Sequence, residues 1–244
     1  KLDVVEIFPT IQGEGPFAGR RAVFIRFAGC NLVCPGCDTN YTQGREKLTV
    51  GEILDDVSLH LETAFQFDPF EQSVVQLSGS QIAAQPIVVL TGGEPFRQEL
   101  DYLITVLLSF GLVVQVETNG TLPISDLLVR FVNKANLFLV CSPKDSEIHE
   151  SIEACCTDYK YVIPDSLLDI DPEDGLPLKA LDRNLGKEKK LYRPDPSNEA
   201  SIYVQPTDYG VLGRNRDSLD NAVTIVKKHG YRLCVQMHKL AGIP

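Results

Sequence analysis

Three cysteines near the start of this 244-residue chain constrain its fold more than any other feature. Cys30, Cys34 and Cys37 follow a C-x3-C-x2-C spacing. A structural zinc site closes a tetrahedron with four protein ligands, whereas a four-iron cluster held by three cysteines leaves one iron with an open coordination position. The spacing therefore favours a reactive iron–sulfur cluster, and the fold must present this loop to a ligand.

Short apolar runs alternate with helical patterns along the rest of the chain. Runs typical of strands lie at 4–8, 22–27, 86–90, 112–116, 137–141, 159–163, 201–205 and 231–236. Helical spacing of apolar residues begins near Val50 and recurs at 100–108, 125–132, 148–155 and 219–228. This alternation predicts an α/β fold whose parallel strands, joined by right-handed crossovers, curl into a partial (β/α) barrel. Residues 66–85 and 165–198 lack clear periodicity, so we predict a single domain, 1–244, with two insert-like segments.

Unusual polar clusters come directly after these predicted strands. They are the cysteine loop and residues 91–95, 117–120, 142–144 and 205–206. In a parallel barrel the loops that follow the strands meet on one face, and barrel enzymes build their active sites there. We therefore predict one active site at the carboxyl ends of the strands.

Arg26 interrupts the apolar run 22–27 with a charge. A buried guanidinium needs an anionic partner. The partner is either a carboxylate of the scaffold or the carboxylate of a ligand, which arginine can bind through two N–H groups at once. The residues alone leave both interpretations open.

Charge and cysteine count exclude several classes of protein. The formal net charge is -10, and the sequence contains no basic stripe of the kind that nucleic-acid-binding proteins usually carry. We therefore predict no nucleic-acid partner. No apolar run is long enough to span a bilayer and no signal-peptide pattern is present, so we predict no membrane association. Seven cysteines are an odd number, which disfavours a secreted disulfide framework and predicts a reducing, cytoplasmic setting.

The cysteine loop and Gly92-Gly93-Glu94-Pro95 together resemble the radical S-adenosylmethionine (SAM) superfamily. This resemblance implies a partial barrel of the radical SAM type and a [4Fe-4S] cluster on the three cysteines. It implies that the amino and carboxylate groups of SAM chelate the fourth iron, and that an electron from the cluster cleaves SAM to a 5′-deoxyadenosyl radical. The glycines would let the backbone approach the ligand, and Glu94 would accept hydrogen bonds from its ammonium group.

Within that superfamily the chain resembles the 7-carboxy-7-deazaguanine synthase family. The resemblance lies in residues 10–15, Arg26, 37–39 and 235–239, and it covers the chain apart from the two insert-like segments. It implies ring contraction of 6-carboxy-5,6,7,8-tetrahydropterin to 7-carboxy-7-deazaguanine with release of ammonia, in 7-deazapurine (queuosine-type) biosynthesis. It also implies Mg²⁺, a homodimer and an electron donor such as a flavodoxin or ferredoxin.

The resemblance implies residue roles by position. The substrate contacts would be Ile11, Gln12, Gly13, Glu14, Arg26, Thr91 and Pro244. The SAM contacts would be Gly92, Gly93, Glu94, Ser142, Pro143, Lys144, Gln205, Pro206, Thr207 and Asp208. Thr39 would bind Mg²⁺, and because a neutral hydroxyl is a poor ligand for this ion, the substrate carboxylate and water must complete the oxygen shell. Glu117 and Asn119 lie on the rim without an implied role, and His238 is interpreted as a structural hydrogen-bonding residue.

Two other functions stay open at this point. A glycyl-radical activase shares the cysteine spacing and the small size, but it acts on a protein backbone, whereas Arg26 and residues 12–14 favour a small anionic substrate. A non-enzymatic zinc-stabilised binding protein would join the three cysteines to a fourth ligand such as Cys141 or His149. A structural zinc would explain none of the other motifs on the rim.

Overall fold

The computed structural model describes residues 1–68, 85–132, 136–186 and 189–244, and these contain nine strands and six α-helices. The strands are β1 (Leu2–Ile11), β2 (Arg21–Phe27), β3 (Glu46–Leu48), β4 (Ile87–Gly92), β5 (Val113–Thr118), β6 (Leu137–Cys141), β7 (Asp158–Ile163), β8 (Ser201–Pro206) and β9 (Arg232–Leu233). The α-helices are α1 (Val50–Phe65), α2 (Asp101–Ser109), α3 (Asp126–Phe131), α4 (Glu150–Glu153), α5 (Leu212–His229) and α6 (Met237–Ala241). Short 3-10 helices lie at Gly15–Phe17, Pro95–Arg97 and Leu167–Asp169.

The strands form one sheet in the order β3-β1-β2-β4-β5-β6-β7-β8-β9. Every neighbouring pair from β2 to β9 is parallel, whereas β1 is antiparallel to both β2 and β3. Within the described ranges the outer strands β3 and β9 do not pair with each other, so the sheet stays open. The predicted α/β class and partial barrel are confirmed, and β1 and β3 add an antiparallel edge.

The two faces of the sheet bury different clusters. Val88, Leu90 and Val114 belong to the main core, which they share with the helix residues Ile53 and Leu103. The opposite face carries a smaller cluster of Ala22, Ile87, Val89 and Val113, covered by Phe17, Phe24 and Phe138. Side chains along a strand alternate between the two faces of the sheet. The residues of β4 and β5 that follow the smaller cluster on the same face therefore point into the partial barrel, at the carboxyl ends of the strands. The smaller cluster thus closes the floor beneath the predicted site.

A capping box stabilises the start of α1, which begins at the predicted residue Val50. The Glu52 amide donates to Thr49 Oγ1 at 3.2 Å, and the Thr49 amide donates to Glu52 Oε2 at 2.7 Å. This reciprocal pair satisfies two backbone donors that the first turn of a helix leaves without partners.

None of the helices in the described ranges has the length and apolar character that crossing a membrane requires.

Two predicted boundaries near the ends of the chain are wrong. Strand β1 extends well beyond 4–8, because pairing with β2 carries polar Thr10 into the ladder opposite Ala22. The predicted last strand, 231–236, is reduced to β9, and the sequence that follows it forms the short helix α6. Apolar patterning alone does not reveal either change, since both depend on which neighbouring strand is available for pairing.

Helix α5 also begins earlier than the predicted residue 219. Its first two turns contain only one large apolar residue, the exposed Leu212, and therefore carry no apolar periodicity. The end of this helix agrees with the prediction, because Gly230 stops it in the left-handed conformation with φ 76°.

The two insert-like segments differ in what the structure describes. The predicted segment 66–85 falls mostly on residues 69–84, which lie outside the described residues. Segment 165–198, described except for residues 187 and 188, is largely irregular but buries Leu176 and Leu191 in the main core. An ion pair of 2.8 Å between Arg183 Nη2 and Asp145 Oδ2 ties this segment to the loop after β6. It therefore packs against the barrel wall beside the predicted site.

Candidate active site

A cavity of about 370 Å³ opens at the carboxyl ends of the parallel strands, within the size range of small-molecule sites. The predicted residues that line it are Ile11, Gln12, Glu14, Arg26, Cys30, Cys34, Cys37, Thr39, Thr91, Gly92, Gly93, Ser142, Lys144, Gln205, Pro206, Thr207, Asp208 and Pro244. Gly13, Glu94 and Pro143 are predicted site residues that do not line it. The predicted convergence of the polar clusters on one rim is therefore confirmed.

The three cysteines lie on the irregular loop between β2 and β3. Each is a free thiol, and each contributes to the cavity wall. Burial raises the pKa of the Cys34 thiol, although the nearby Lys144 and Arg183 cations act in the opposite direction. Three thiols along one wall fit a [4Fe-4S] cluster, in which each cysteine binds a different iron and the sulfurs need not meet at a single point.

The zinc alternative finds no support in the described part of the chain. Nowhere in it do three or more histidine, cysteine or carboxylate side chains converge on one ion position. Cys141 is fully buried, which raises the pKa of its thiol well above the ordinary value. His149 caps helix α4 by accepting from the Ser151 amide at 3.2 Å. Neither proposed fourth ligand is therefore available to the cysteine loop.

The glycines after β4 pack directly against the cysteine loop. The Glu94 amide donates to the Gly29 carbonyl at 2.9 Å, and the Gly93 amide donates to the Phe27 carbonyl at 3.2 Å. A Cβ atom on Gly93 would lie 2.0 Å from the Gly29 oxygen. The amide nitrogen of Cys30 lies 2.9 Å from this same Cβ position. The absence of a side chain at Gly93 therefore lets the two backbone segments meet.

Glu94 is buried beneath the rim, which corrects its predicted position facing a ligand. Its Oε1 accepts from Thr118 Oγ1 at 2.8 Å and from the Phe96 amide at 3.2 Å. Its Oε2 accepts from the Asn119 amide at 2.7 Å. Burial raises the pKa of this carboxyl despite the three donors. In this structure Glu94 therefore supports the turn after β5 instead of facing the cavity, because three donors beneath the rim bind its carboxylate.

Glu117 connects the residues predicted to contact the substrate. Its carboxylate accepts from Thr91 Oγ1 at 2.9 Å, from Gln12 Nε2 at 3.2 Å and from Gln115 Nε2 at 2.9 Å. Gln12 and Gln115 are almost completely buried, so this network is shielded from solvent. The network fixes two predicted substrate contacts on one side of the cavity.

Arg26 has a scaffold partner and also reaches the cavity. Its Nε donates to Glu6 Oε1 at 2.6 Å across the β1–β2 pair, and its guanidinium lies 5.6 Å from the centre of the Phe8 ring. The Glu6 side chain is half exposed. Because a guanidinium has five N–H groups, the group can hold Glu6 and still offer donors to an anionic ligand.

Lys160 is a site residue that the sequence reasoning missed. It lies on β7, lines the cavity and forms an ion pair with Glu14. The Lys160 side chain is 11 % exposed and the Glu14 side chain is 14 % exposed. Burial alone would raise the pKa of Glu14, but the Lys160 charge lowers it to about 2. The same pairing raises the pKa of Lys160. The available signal was a lysine within the apolar run 159–163, the same kind of signal that identified Arg26.

Glu14 also accepts from two glutamines that join distant parts of the chain. Gln236 Nε2 donates to Oε1 at 2.8 Å, and Gln205 Nε2 reaches the same oxygen at 3.3 Å. The Lys160 ammonium contacts the other oxygen. Glu14 therefore couples the N-terminal loop to β7, to β8 and to the segment before α6, and it keeps its charge at neutral pH.

Replacing Glu14 by glutamine is expected to destabilise the protein by about 3–5 kcal/mol, because the Lys160 ammonium would stay buried without its counter-ion. Urea unfolding followed by circular dichroism measures this loss. The double variant Glu14→Gln/Lys160→Met should recover most of it, since it removes both charges. A single variant as stable as the wild type would show that the ion pair does not hold these segments together.

The same ion pair makes stability depend on pH in acid. The folded pKa of Glu14, about 2, lies below its ordinary value of 4.5. A carboxyl with a lowered folded pKa contributes its full stabilisation above the ordinary value and loses it as the pH falls toward the folded value. Unfolding free energies measured from pH 5 to pH 2 should therefore fall more steeply in the wild type than in the double variant.

The C-terminal segment forms one wall of the cavity. Thr10 Oγ1 donates to the Pro244 carbonyl at 2.6 Å, and Lys239 Nζ lies 2.9 Å from Asp208 Oδ2 and 3.7 Å from Asp38 Oδ2. The His238 ring packs on Gly13, where a Cβ atom would lie 2.0 Å from Nδ1. These contacts join the cysteine loop, the loop after β8 and the predicted substrate loop through the last eight residues.

Lys144 supplies a second buried cation at the cavity. Its Nζ donates to the Ser142 carbonyl at 3.0 Å, and burial lowers its pKa. The cavity wall carries four cations, Arg26, Lys144, Lys160 and Lys239, and four carboxylates, Glu14, Asp38, Glu117 and Asp208. Within the described residues Lys144 forms no ion pair, whereas the other three cations do, so its charge is the one that can serve a ligand with a carboxylate group.

An open parallel α/β sheet, with three free cysteines on a loop at the carboxyl ends of its strands, defines the radical SAM class. The solved structure of QueE from Escherichia coli has the same fold, with a TM-score of 0.63 and 22 % identity, covering 96 % of this chain and 93 % of that one. No protein-family model matches the chain. The 7-carboxy-7-deazaguanine synthase of Rhodospirillum rubrum is 37 % identical over 99 % of this chain and 92 % of that protein. The enzyme of the same name from Rickettsia prowazekii is 31 % identical over 100 % and 89 %. The chain therefore belongs to the 7-carboxy-7-deazaguanine synthase family.

Proposed function

We propose that the cavity is the place where this chain carries out the reaction of its family. The reaction is the radical SAM-dependent ring contraction of 6-carboxy-5,6,7,8-tetrahydropterin to 7-carboxy-7-deazaguanine, with release of ammonia, in 7-deazapurine (queuosine-type) biosynthesis. The observation that carries the proposal is that three free cysteines line one cavity, together with Arg26 and Lys144, in a chain of which 99 % matches a member of this family. The cofactors are a [4Fe-4S] cluster, SAM and Mg²⁺.

Cys30, Cys34 and Cys37 would hold the cluster, which when bound supplies the electron that cleaves SAM to its 5′-deoxyadenosyl radical. The neighbouring rim supports a role in holding SAM. Gly92 packs against Phe27 at the end of β2, and Gly93 packs against Gly29 and Cys30 of the cysteine loop. Ser142 and Lys144 after β6, and residues 205–208 at the end of β8, line the same cavity. Lys144, buried beside this wall, would neutralise part of the negative charge that a carboxylate ligand brings.

The pterin would lie on the side of the cavity that β1, β2 and β5 form. Arg26 would bind its carboxylate, with Glu6 holding the guanidinium in place. Gln12 and Thr91, both fixed by Glu117, would position the ring. Thr39 would bind Mg²⁺ together with the substrate carboxylate, which makes binding of the metal depend on the substrate.

The remaining proposals concern organisation and partners. We propose a single domain for residues 1–244, because segment 165–198 shares the main core. A homodimer, a cytoplasmic setting and an electron donor such as a flavodoxin or ferredoxin complete the account. Free thiols at all seven cysteines support the reducing compartment, and the exposed tip of the cysteine loop, where the Val33 side chain is 84 % exposed, supports access for a donor protein.

Anaerobic incubation of the reconstituted protein with 6-carboxy-5,6,7,8-tetrahydropterin, SAM and dithionite tests the reaction. We expect 7-carboxy-7-deazaguanine, detected by its ultraviolet absorbance and mass, together with 5′-deoxyadenosine. Omission of Mg²⁺ should slow the reaction. Formation of 5′-deoxyadenosine without a deazapurine would keep the radical SAM class and refute this substrate.

A further inference from the structure

The turn after β5 brings the Asn119 side chain against the cysteine loop in one defined orientation. Thr121 donates to Asn119 Oδ1 from its backbone amide at 2.9 Å and from its hydroxyl at 2.6 Å. A backbone amide can only donate, so Oδ1 faces Thr121 and Nδ2 faces the opposite way. Nδ2 donates to Asn31 Oδ1 at 3.0 Å and lies 3.9 Å from Cys30 Sγ. The Asn119 amide therefore directs an N–H group toward the first cysteine.

Cys30 differs from the other two cysteines in its hydrogen-bond donors. Its sulfur accepts from the Leu32 amide at 3.4 Å as well as from the Asn119 side chain. Across the described ranges, no N–H or O–H donor contacts the sulfur of Cys34, and the Cys37 thiol contacts only the Thr39 carbonyl, at 3.9 Å. The donors are thus concentrated on one of the three sulfurs.

Asn119 is held in this orientation by the buried Glu94 and by side-chain hydrogen bonds with Thr121 and the exposed Asn31. It is 8 % exposed, and its backbone amide donates to the fully buried carboxylate of Glu94 at 2.7 Å. Asn31 Nδ2 donates in turn to Thr121 Oγ1 at 2.8 Å, which closes a ring of hydrogen bonds around the carboxamide. Rotation of the carboxamide would turn its N–H groups toward the Thr121 backbone amide, which can only donate, and would remove the donor to Asn31 Oδ1. The ring therefore keeps the N–H group directed at Cys30.

We propose that Asn119 is a positioning residue that raises the reduction potential of the cluster by directing this N–H group at the Cys30 sulfur, an inference that rests on the proposed function. Hydrogen bonds to cluster sulfurs are among the factors that set iron–sulfur potentials. Reduction adds negative charge to the cluster and its thiolates, and a donor at Cys30 stabilises that charge. The residue thereby makes the cluster easier to reduce.

The midpoint potential of the reconstituted cluster tests this role. We would measure it by a reductive titration followed by electron paramagnetic resonance (EPR), without SAM or pterin. Asn119→Ala and Asn119→Asp should both have a more negative midpoint than the wild type. The shift should be larger for aspartate, which replaces the donor with a charged acceptor. Asn119→Gln keeps an amide donor and should return the midpoint toward the wild-type value.

Asn40→Asp is the matched control, because it makes the same change of charge as Asn119→Asp on the cysteine loop itself. Asn40 is exposed, and its side chain accepts from the amides of Thr42 and Gln43. Its midpoint should equal that of the wild type. If Asn119→Ala and Asn119→Asp hold complete clusters with the midpoint of the wild type, the role of Asn119 is overturned and the proposed function stands. If these variants fail to hold four irons, the role in setting the potential is likewise overturned, and Asn119 acts in cluster assembly. A wild type without a four-iron cluster would instead overturn the proposed function and this inference together.

Discussion

Replacing Cys34 by alanine is expected to abolish the cleavage of SAM. The substitution removes one of the three thiolates available to the cluster on this loop. Loss of a residue that hydrogen-bonds to a metal ligand already lowers activity or metal affinity about 10–100-fold. Loss of the ligand itself should therefore lower the activity more than about 100-fold. The measurement is the amount of 5′-deoxyadenosine formed per chain after anaerobic reconstitution and reduction.

Cys155→Ala is the matched control for this experiment. Cys155 is also a free cysteine, but it lies next to helix α4 outside the cavity, where its thiol donates to the Ser151 carbonyl at 3.0 Å. This variant should keep its cluster and its activity. If Cys34→Ala were as active as the control, the assignment of the cluster to this loop would be wrong.

Replacing Gly93 by alanine is expected to displace the cysteine loop. The new Cβ atom would lie 2.0 Å from the Gly29 oxygen and 2.4 Å from its carbonyl carbon, and no side-chain rotation can relieve a collision between backbone segments. Overpacking usually costs about 1–3 kcal/mol, and this collision should reach at least the upper end of that range. We expect loss of most of the bound iron together with a lower free energy of unfolding in urea.

Gly213→Ala separates this effect from any general intolerance of glycine substitution. Gly213 lies in the exposed first turn of α5, and a Cβ atom there would have nothing within 4 Å. Alanine is favoured over glycine in a helix by about 1 kcal/mol, so this variant should be as stable as the wild type or slightly more stable. Full iron binding by Gly93→Ala would contradict the close packing that the structure shows between the two loops.

The inner strands of the parallel sheet, β4 to β7, could be predicted from the sequence because most of their residues are buried. Strand β6 has the predicted bounds, since its apolar residues form one continuous run. The antiparallel edge could not be predicted to the same extent. Strand β1 carries alternating and polar residues such as Thr10, and its length is set by pairing with β2. Short apolar runs indicate where strands occur, but pairing decides where they end.

The candidate site could be predicted as a set of residues on one rim because every polar cluster follows a strand. The depth of each residue could not be predicted. Glu94 belongs to a glycine-rich turn, yet hydrogen bonds from Thr118 and the Asn119 amide hold its carboxylate beneath the rim. Lys160 was missed because its partner, Glu14, is 146 residues away in the chain. Long-range pairs of this kind are visible only once the strands are assembled.

The roles of Glu117 and Asn119 show the same limit. The sequence places both after the predicted strand 112–116 but does not say what they contact. The structure shows Glu117 joined to Gln12 and Thr91, and Asn119 joined to Asn31 and Cys30. The end of β5 and the turn after it therefore organise both sides of the cavity, the side proposed for the pterin and the side proposed for the cluster.

The EPR spectrum of the reduced, reconstituted wild type, recorded before and after addition of SAM, tests most directly whether the cysteine loop holds a cluster with an open iron. The account predicts the signal of one reduced [4Fe-4S] cluster per chain, and a change in that signal when the amino and carboxylate groups of SAM bind the open iron. A protein that contains one zinc ion and no sulfide, and therefore gives no signal, would contradict the account. A cluster signal that SAM leaves unchanged would contradict it equally.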